Sequence, residues 1–346
     1  MKEKTDHNDS FVSSPLIKGV PTNNQTAINE IKKILKKTRG IHIDGLGCDF
    51  KALKQIFSFA EKCRSSIDHM DGEKIANFYS GLQRYGGMLA SYGEVFLRSD
   101  LVIFVGSSEK DIDQNFLKNF KKKPDFFFIS QKTIKDSEFE HYKTKKGAIS
   151  IEIKLLIQEI VNDFKKNKFE VLIDKIDKSS YGSIVFTPNE EPFISQYLIE
   201  LVKTLSKQNK FTLLPLLGSN NFAAAVQISL WNTGYPLRVN FTDTGPIYNP
   251  TEFSSSYQKE KKDVQLFVSC FEDRAPNDFF KKNIYIGAPN LPSRNNFDVF
   301  IPTKTPGIDE NGIVFRGDGV CALKLKKMKE TQYITVREIF QSLLSL

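Results

Sequence analysis

The chain is predicted to be an α/β protein of two Rossmann-like lobes with mostly parallel sheets, and three observations carry that expectation. Continuous apolar runs such as Leu101–Val105, closed by Gly106, suit strands buried on both faces of a parallel sheet. Segments with apolar residues at helical spacing lie between such runs, and strand–helix alternation marks parallel βα units. The length of 346 residues exceeds one ordinary core and suits two.

Met1 to Thr26 is polar and reads as an arm or a docking strand. A helix is expected over Ala27–Lys37, with Ile28, Ile31, Ile34 and Leu35 on its apolar side. Gly40 breaks it, Ile41–Ile43 follows as a short strand, and Gly45-Leu46-Gly47 reads as a tight turn. Leu53, Ile56, Phe57 and Ala60 then fall at helical spacing. Leu101–Val105 and Phe126–Ile129 read as strands, with helical segments at Asp111–Phe120 and Ile151–Phe164. The alternation resumes with a strand at Ser183–Phe186, a helix at Phe193–Leu205 and a strand at Phe211–Leu214. Asn220–Trp231 is a helix of small residues, and Asp263–Cys270, Ile284–Gly287 and Asp298–Ile301 complete the strands. The charged stretch Asn162–Lys178 reads as the boundary between lobes. The expected organisation is an arm over 1–26, lobes over 27–165 and 166–300, and a closing segment over 301–346.

Composition narrows the function classes. Apolar residues make up 40% and charged residues 26%, as in folded globular proteins rather than disordered ones. No segment approaches 18 apolar residues and no apolar signal core opens the chain, so a cytoplasmic protein off the membrane is expected. The net charge is +8, but the lysine runs at 121–123, 145–146, 259–262 and 324–329 are scattered and not interleaved with aromatic residues. Nucleic-acid binding is therefore not expected. Cys48, Cys63, Cys270 and Cys321 are far apart, without the close spacing of zinc, redox or iron–sulfur motifs. The four histidines are dispersed, and His69 in Ile67-Asp68-His69-Met70-Asp71 reads as part of a cap or turn. Gly45-Leu46-Gly47 lacks the third glycine of a dinucleotide fingerprint, which leaves a nicotinamide enzyme unsupported.

Several phrases hold glycine and polar residues that a plain core does not need. They are Gln83-Arg84-Tyr85-Gly86-Gly87, Ser91-Tyr92-Gly93-Glu94, Arg98-Ser99-Asp100, Trp231-Asn232-Thr233-Gly234-Tyr235-Pro236 and Tyr248-Asn249-Pro250-Thr251-Glu252-Phe253. Thr305-Pro306-Gly307-Ile308-Asp309 and Phe315-Arg316-Gly317-Asp318-Gly319 add two more. Turns of this kind at strand ends of an open α/β sheet serve ligands or subunit docking.

Together these phrases resemble the molybdopterin-dependent B subunit of formylmethanofuran dehydrogenase, from about Glu30 to the C-terminus. The resemblance implies a truncated molybdopterin-oxidoreductase fold. It places Gln83, Gly86, Gly93, Glu94, Thr233, Gly234, Asn249, Pro250 and Arg316 in a remnant cofactor cleft or subunit-docking region. The family's metal is held by a cysteine or selenocysteine, and counting back from Gly93-Glu94 puts Lys74 at that position, followed by Ile75 and Ala76. An ammonium cannot replace a thiolate as a ligand to a soft metal. The first 40 residues also lack the cysteine cluster of the family's iron–sulfur centre. The resemblance therefore implies a chain without molybdopterin, iron–sulfur cluster, metal or catalytic residues of its own. Its counterpart is the related B subunit in a bacterial formyltransferase/hydrolase complex, which moves a formyl group from tetrahydromethanopterin to a methanofuran-type coenzyme and releases formate. The implied partners are a zinc-holding amidohydrolase-type subunit, a formyltransferase subunit and a further small subunit, with contact to the coenzyme open. The redox subunit holding molybdenum or tungsten is the alternative.

Overall fold

The computed structural model describes residues 12–106, 114–131, 139–162, 168–188, 191 and 193–346. Contacts divide the chain into two units: Met1–Gly72 with Ser219–Leu346, and Glu73–Gly218. This grouping differs from the expected succession of lobes at 27–165 and 166–300. The charged stretch 162–178 is not a boundary; its described part holds the helix Glu170–Lys178, which buries Leu172 and Ile176 inside the second unit. Charge marks the helix's wet side there, not a linker.

The first unit carries a nine-stranded mixed sheet. Its order is Gly245–Tyr248, Val239–Thr242, Ser66–Ile67, Ile41–Gly47, Val264–Ser269, Lys282–Gly287, Val299–Pro302, Leu16–Ile17, Val20–Pro21. The five strands from Ser66–Ile67 to Val299–Pro302 are parallel, and an antiparallel pair flanks them on each side. The sequence marks the parallel core because Val264–Ser269 is buried at every residue. The described part of the expected arm docks as a strand, with Leu16 opposite Phe300; residues 1–11 lie outside the described residues.

Helices in this unit form where expected. Asn24–Lys36 is capped by Asn23, whose side chain accepts from the Thr26 amide, and buries Ala27, Ile28, Ile31 and Leu35. Phe50–Lys62 is capped by Asp49, which accepts from the Lys51 and Ala52 amides. The C-terminal helix Val336–Leu343 opens with a capping box between Thr335 and Glu338 and packs Phe340 edge-on to Phe59. A separate two-stranded ribbon, Gly312–Phe315 with Ala322–Leu325, completes the unit.

Gly45-Leu46-Gly47 is not a tight turn. It ends the strand Ile41–Gly47 as a bulge, since Asp44 pairs with Phe267 and Gly47 with Ser269, one residue extra on the Ile41–Gly47 side. Gly45 at φ +84° and buried Leu46 at φ +57° make the bulge. A side chain at Gly45 would collide with the Val268 carbonyl. The glycine is required by a close approach of backbones rather than by a phosphate.

The second unit has a five-stranded parallel sheet in the order Glu140–Lys143, Asp125–Ser130, Leu101–Val105, Tyr181–Phe186, Lys210–Pro215. Gly72–Tyr85, Tyr92–Arg98, Ile149–Asn162 and Ile194–Leu205 are among its helices. The expected helices at Asp111–Phe120 and Ile151–Phe164 are found as Gln114–Lys118 and Ile149–Asn162; residues 107–113 and 163–167 lie outside the described residues. Its core includes Val102, Phe104, Phe128, Val185 and Leu214, with Phe104 stacked on Phe128 at 4.7 Å between ring centres. Among the described residues no helix is long and apolar enough to cross a membrane.

Gly45→Ala is expected to destabilise the protein by about 2–3 kcal/mol in urea unfolding, through positive φ and collision together. Gly147→Ala, at φ +72° with open space around it, carries only the conformational part, about 1 kcal/mol. Equal losses at the two positions would show that the backbone contact at Gly45 is not tight.

Candidate functional site

Among the described residues, the most concentrated chemistry is a buried polar network in the first unit, built by three strands and a loop. The strand Ile41–Gly47 supplies His42 and Asp44, two residues apart and both buried. Ser66 and Asp68 come from the next strand and its end, and Gln265 from the neighbour on the other side. Arg238 precedes the strand Val239–Thr242 at φ +71°, and Ser255 and Gln258 follow the Tyr248–Phe253 loop.

Arg238 Nε donates to both Asp68 oxygens at 3.2 Å, and its Nη1 donates to the Pro250 carbonyl at 2.5 Å. Asp68 also accepts from the amides of His69, at 2.8 Å, and Ser255, at 3.3 Å. Ser255 Oγ donates to Asp44 at 2.6 Å and lies 2.9 Å from His42 Nε2. His42 Nδ1 meets Ser66 Oγ at 2.7 Å, and its ring stacks on Phe280.

Two buried carboxyls thus face one guanidinium. Burial raises the pKa of both; it pushes Asp68 up to about 7 against the pull of Arg238, while Ser255 and the Gly45 amide restrain Asp44. Burial also drives His42 well below its usual range, with Lys262 and Arg238 adding repulsion, so its ring stays neutral. Lys262 itself is lowered to about 7 by burial, its ammonium set against the Ile41 carbonyl and Asn240.

Further along the strand ends, His69 Nδ1 accepts from the Asp71 amide at 3.0 Å, the turn role expected for this phrase. Burial lowers His69 to about 4. Asp71 pairs with Arg274 at 3.2 Å. Asn221, left-handed at φ +61°, donates to the Cys48 carbonyl and accepts from the Phe315 amide, tying the ribbon to the strand end.

The expected cleft residues fall into two groups. Thr233 and Gly234 stop the helix Phe222–Thr233: Thr233 Oγ1 donates to the Ser229 carbonyl, and Gly234 takes φ +77°. Asn249 accepts from the Thr251 and Glu252 amides and shapes the loop whose Pro250 carbonyl receives Arg238. These two phrases do meet, because Tyr235 stacks on Tyr248 at 5.3 Å. Arg316 forms a two-pronged pair with Asp318 in the ribbon's turn. Gln83, Gly86, Gly93 and Glu94 belong to the other unit. Gly86, at φ +65°, ends the helix Gly72–Tyr85, Gly93 lies in the first turn of Tyr92–Arg98, and Glu94 accepts from Tyr181 at 2.6 Å. Gln83 is exposed near the end of its helix.

Lys74 lies in the first turn of Gly72–Tyr85, half-buried. The four cysteines all lie in the other unit. Burial pushes Cys48 up, with Cys270 and nearby acids adding to it, and pushes Cys270 to about 12, so neither offers a thiolate. Among the described residues no three His, Cys, Asp or Glu side chains group as metal ligands. The residues at this position do not fit a thiolate-held metal.

Sequence reasoning missed Asp44, Asp68 and Arg238. The one available signal was alternation: His42 and Asp44 put polar groups into a strand otherwise read as core, and such residues need buried partners.

Fold and network define a two-unit α/β protein whose strand ends are locked by a buried ion pair. No family model matches the chain. It is 23% identical over 308 residues to the B subunit of the tungsten-containing formylmethanofuran dehydrogenase 2 of Methanococcus maripaludis, covering 78% of this chain and 70% of that one. It is 30% identical over 138 residues to the Methanocaldococcus jannaschii protein of the same name, covering 38% and 32%. It is 23% identical over 259 residues to the B subunit of the formyltransferase/hydrolase complex of Methylorubrum extorquens, covering 70% of each. A chain in the crystal structure of that complex with methylofuran shares the fold, with a TM-score of 0.86 at 19% identity over 96% of this chain and 98% of the other. The chain is thus similar to the B subunits of formylmethanofuran dehydrogenase and of the formyltransferase/hydrolase complex.

Two outcomes follow from the network. Arg238→Met leaves two carboxyls buried without their cation and is expected to lower stability by about 3–5 kcal/mol in urea unfolding. The pH dependence has two opposed parts. His69 favours folding above about 6.5, and that contribution is lost as pH falls towards 4. Burial raises the folded-state pKa of Asp68 to about 7, so its contribution is full below about 4 and is lost as pH rises through 7. Asp68→Asn removes the second part alone, and its stability should rise with pH between 5 and 7 more steeply than the parent's, by up to about 1.4 kcal/mol per pH unit. Parallel slopes would mean that Asp68 is ionised throughout.

Proposed function

We propose that this chain is the B subunit of a formyltransferase/hydrolase complex and works there as a scaffold without a reaction centre of its own. The observation that carries this reading is Lys74, an ammonium at the position where the redox branch of the family needs a thiolate. The match to a chain of the methylofuran-bound complex along nearly its whole length supports it. The remnant of a molybdopterin-oxidoreductase fold then serves to hold loops. The Trp231–Pro236 and Tyr248–Phe253 turns, braced by Arg238 and the Tyr235–Tyr248 stack, present rigid surface to the hydrolase, the formyltransferase and a further small subunit. Zinc belongs to the hydrolase partner, and the formyl group moves between pterin and methanofuran-type coenzyme on the partners' residues.

The similarity to two tungsten-enzyme subunits favours the redox reading as the alternative. Purification of the native assembly through a tag on this chain separates the two. The scaffold reading expects hydrolase and formyltransferase subunits with zinc, without stoichiometric molybdenum, tungsten or pterin. One tungsten or molybdenum per chain would overturn it. Lys74→Ala should leave formyl transfer and hydrolysis by the assembly within about twofold of the parent, about 0.4 kcal/mol of barrier.

A further inference from the structure

The ribbon Gly312–Phe315/Ala322–Leu325 stands apart from both sheets, and no third strand joins it among the described residues. Two-stranded ribbons are marginal in water alone and depend on what they pack against. The inner strand is supported: it packs on the helices Phe50–Lys62 and Phe222–Thr233, and Phe315 lies among Phe50 and Trp231.

The register separates the ribbon's two edges. Arg316 donates to the Cys321 carbonyl, which makes that a hydrogen-bonded pair. By alternation, Phe315↔Ala322 and Ile313↔Lys324 are the pairs whose backbone groups point away from the partner strand. On the inner strand the outward Phe315 amide is taken by Asn221 at 2.8 Å, in agreement with that register. On the outer strand, Ala322 and Lys324 turn their amides and carbonyls outwards with no third strand beside them among the described residues.

The surroundings of this edge are apolar and basic together. Val320 is 64% exposed, Leu323 45% and Met328 77%. Residues 319–330 hold four lysines, Lys324, Lys326, Lys327 and Lys329, against the single acid Glu330, which pairs with Lys327. Lysines beside a strand edge repel a second copy of the same edge. They attract an extended acidic segment, which can add a strand through the two outward residues and set its acids against the lysines.

We infer that the outer edge of this ribbon, at Ala322 and Lys324, is a docking strand for an extended acidic segment of a partner subunit. The inference rests on the subunit reading above and adds where and how a partner is held.

The test uses the full chain assembled with the hydrolase and formyltransferase subunits of its own source. Hydrogen exchange at the Ala322 and Lys324 amides should slow at least tenfold on assembly. Lys324→Glu with Lys326→Glu should lower the co-purified partner at least tenfold, while Lys324→Arg with Lys326→Arg retains it. Ala322→Pro removes an outward amide without breaking a ribbon hydrogen bond and should act like the charge reversal, with an unchanged Tm of the free chain. Unchanged exchange at both amides, or full assembly of both the charge-reversed and proline variants, overturns the inference and leaves the subunit reading standing. A parent chain that retains no partner subunit overturns both.

Discussion

The ion pair between Arg238 and Asp68 is the constraint on which the arrangement of the first unit depends. It joins a strand of only two residues, Ser66–Ile67, to a loop made almost two hundred positions later in the chain. So short a strand contributes little pairing energy. Its place between Ile41–Gly47 and Val239–Thr242 is held instead by side chains that have left water together. Each partner's burial is tolerable only because the other is present. Ser255, His42, Ser66 and Gln258 extend the same network, so that most of its donors find acceptors without solvent. A network committed in this way is poor material for proton transfer to an outside substrate, which accords with the scaffold role proposed above.

Strain gathers where the same strand ends. Leu46, Asn220 and Asn221 all adopt left-handed backbone, and Gly45 lies against the Val268 carbonyl. Backbone strain persists where surrounding packing over-determines it. Here Asn221 shows how: its one amide side chain satisfies both the Cys48 carbonyl and the Phe315 amide. The strained corner thereby couples the parallel sheet to the ribbon.

Legibility in the sequence followed the kind of interaction involved. Buried strands and amphipathic helices announce themselves through local pattern, so Leu101–Val105, Val264–Ser269 and Phe50–Lys62 were readable to within a few residues. Gly72–Tyr85 was not, because its polar phrases read as loop chemistry while Ile75 and Phe78 buried its inner face. The bulge at Gly45 and the left-handed Asn220 at the expected helix start are set by contacts with residues distant in sequence, which no local window contains. The cleft residues were located by resemblance to a family, and the structure gives Thr233, Gly234, Asn249 and Gly86 local reasons to exist, as helix stops and a loop brace. The division at Gly72 and Ser219 carried no compositional mark at all.

That division sets an order of events at the ribosome. Residues 73–218 form a contiguous unit whose five parallel strands are complete before residues 219–346 are made. The strand Ile41–Gly47 is made earlier, yet the neighbour that buries its other edge, Val264–Ser269, arrives only after that whole unit has been synthesised. For that interval an apolar strand carrying His42 and Asp44 waits with one edge open, and Asp68 waits for Arg238. Until residues 238–269 are made, Asp44 and Asp68 must keep water as their main partner.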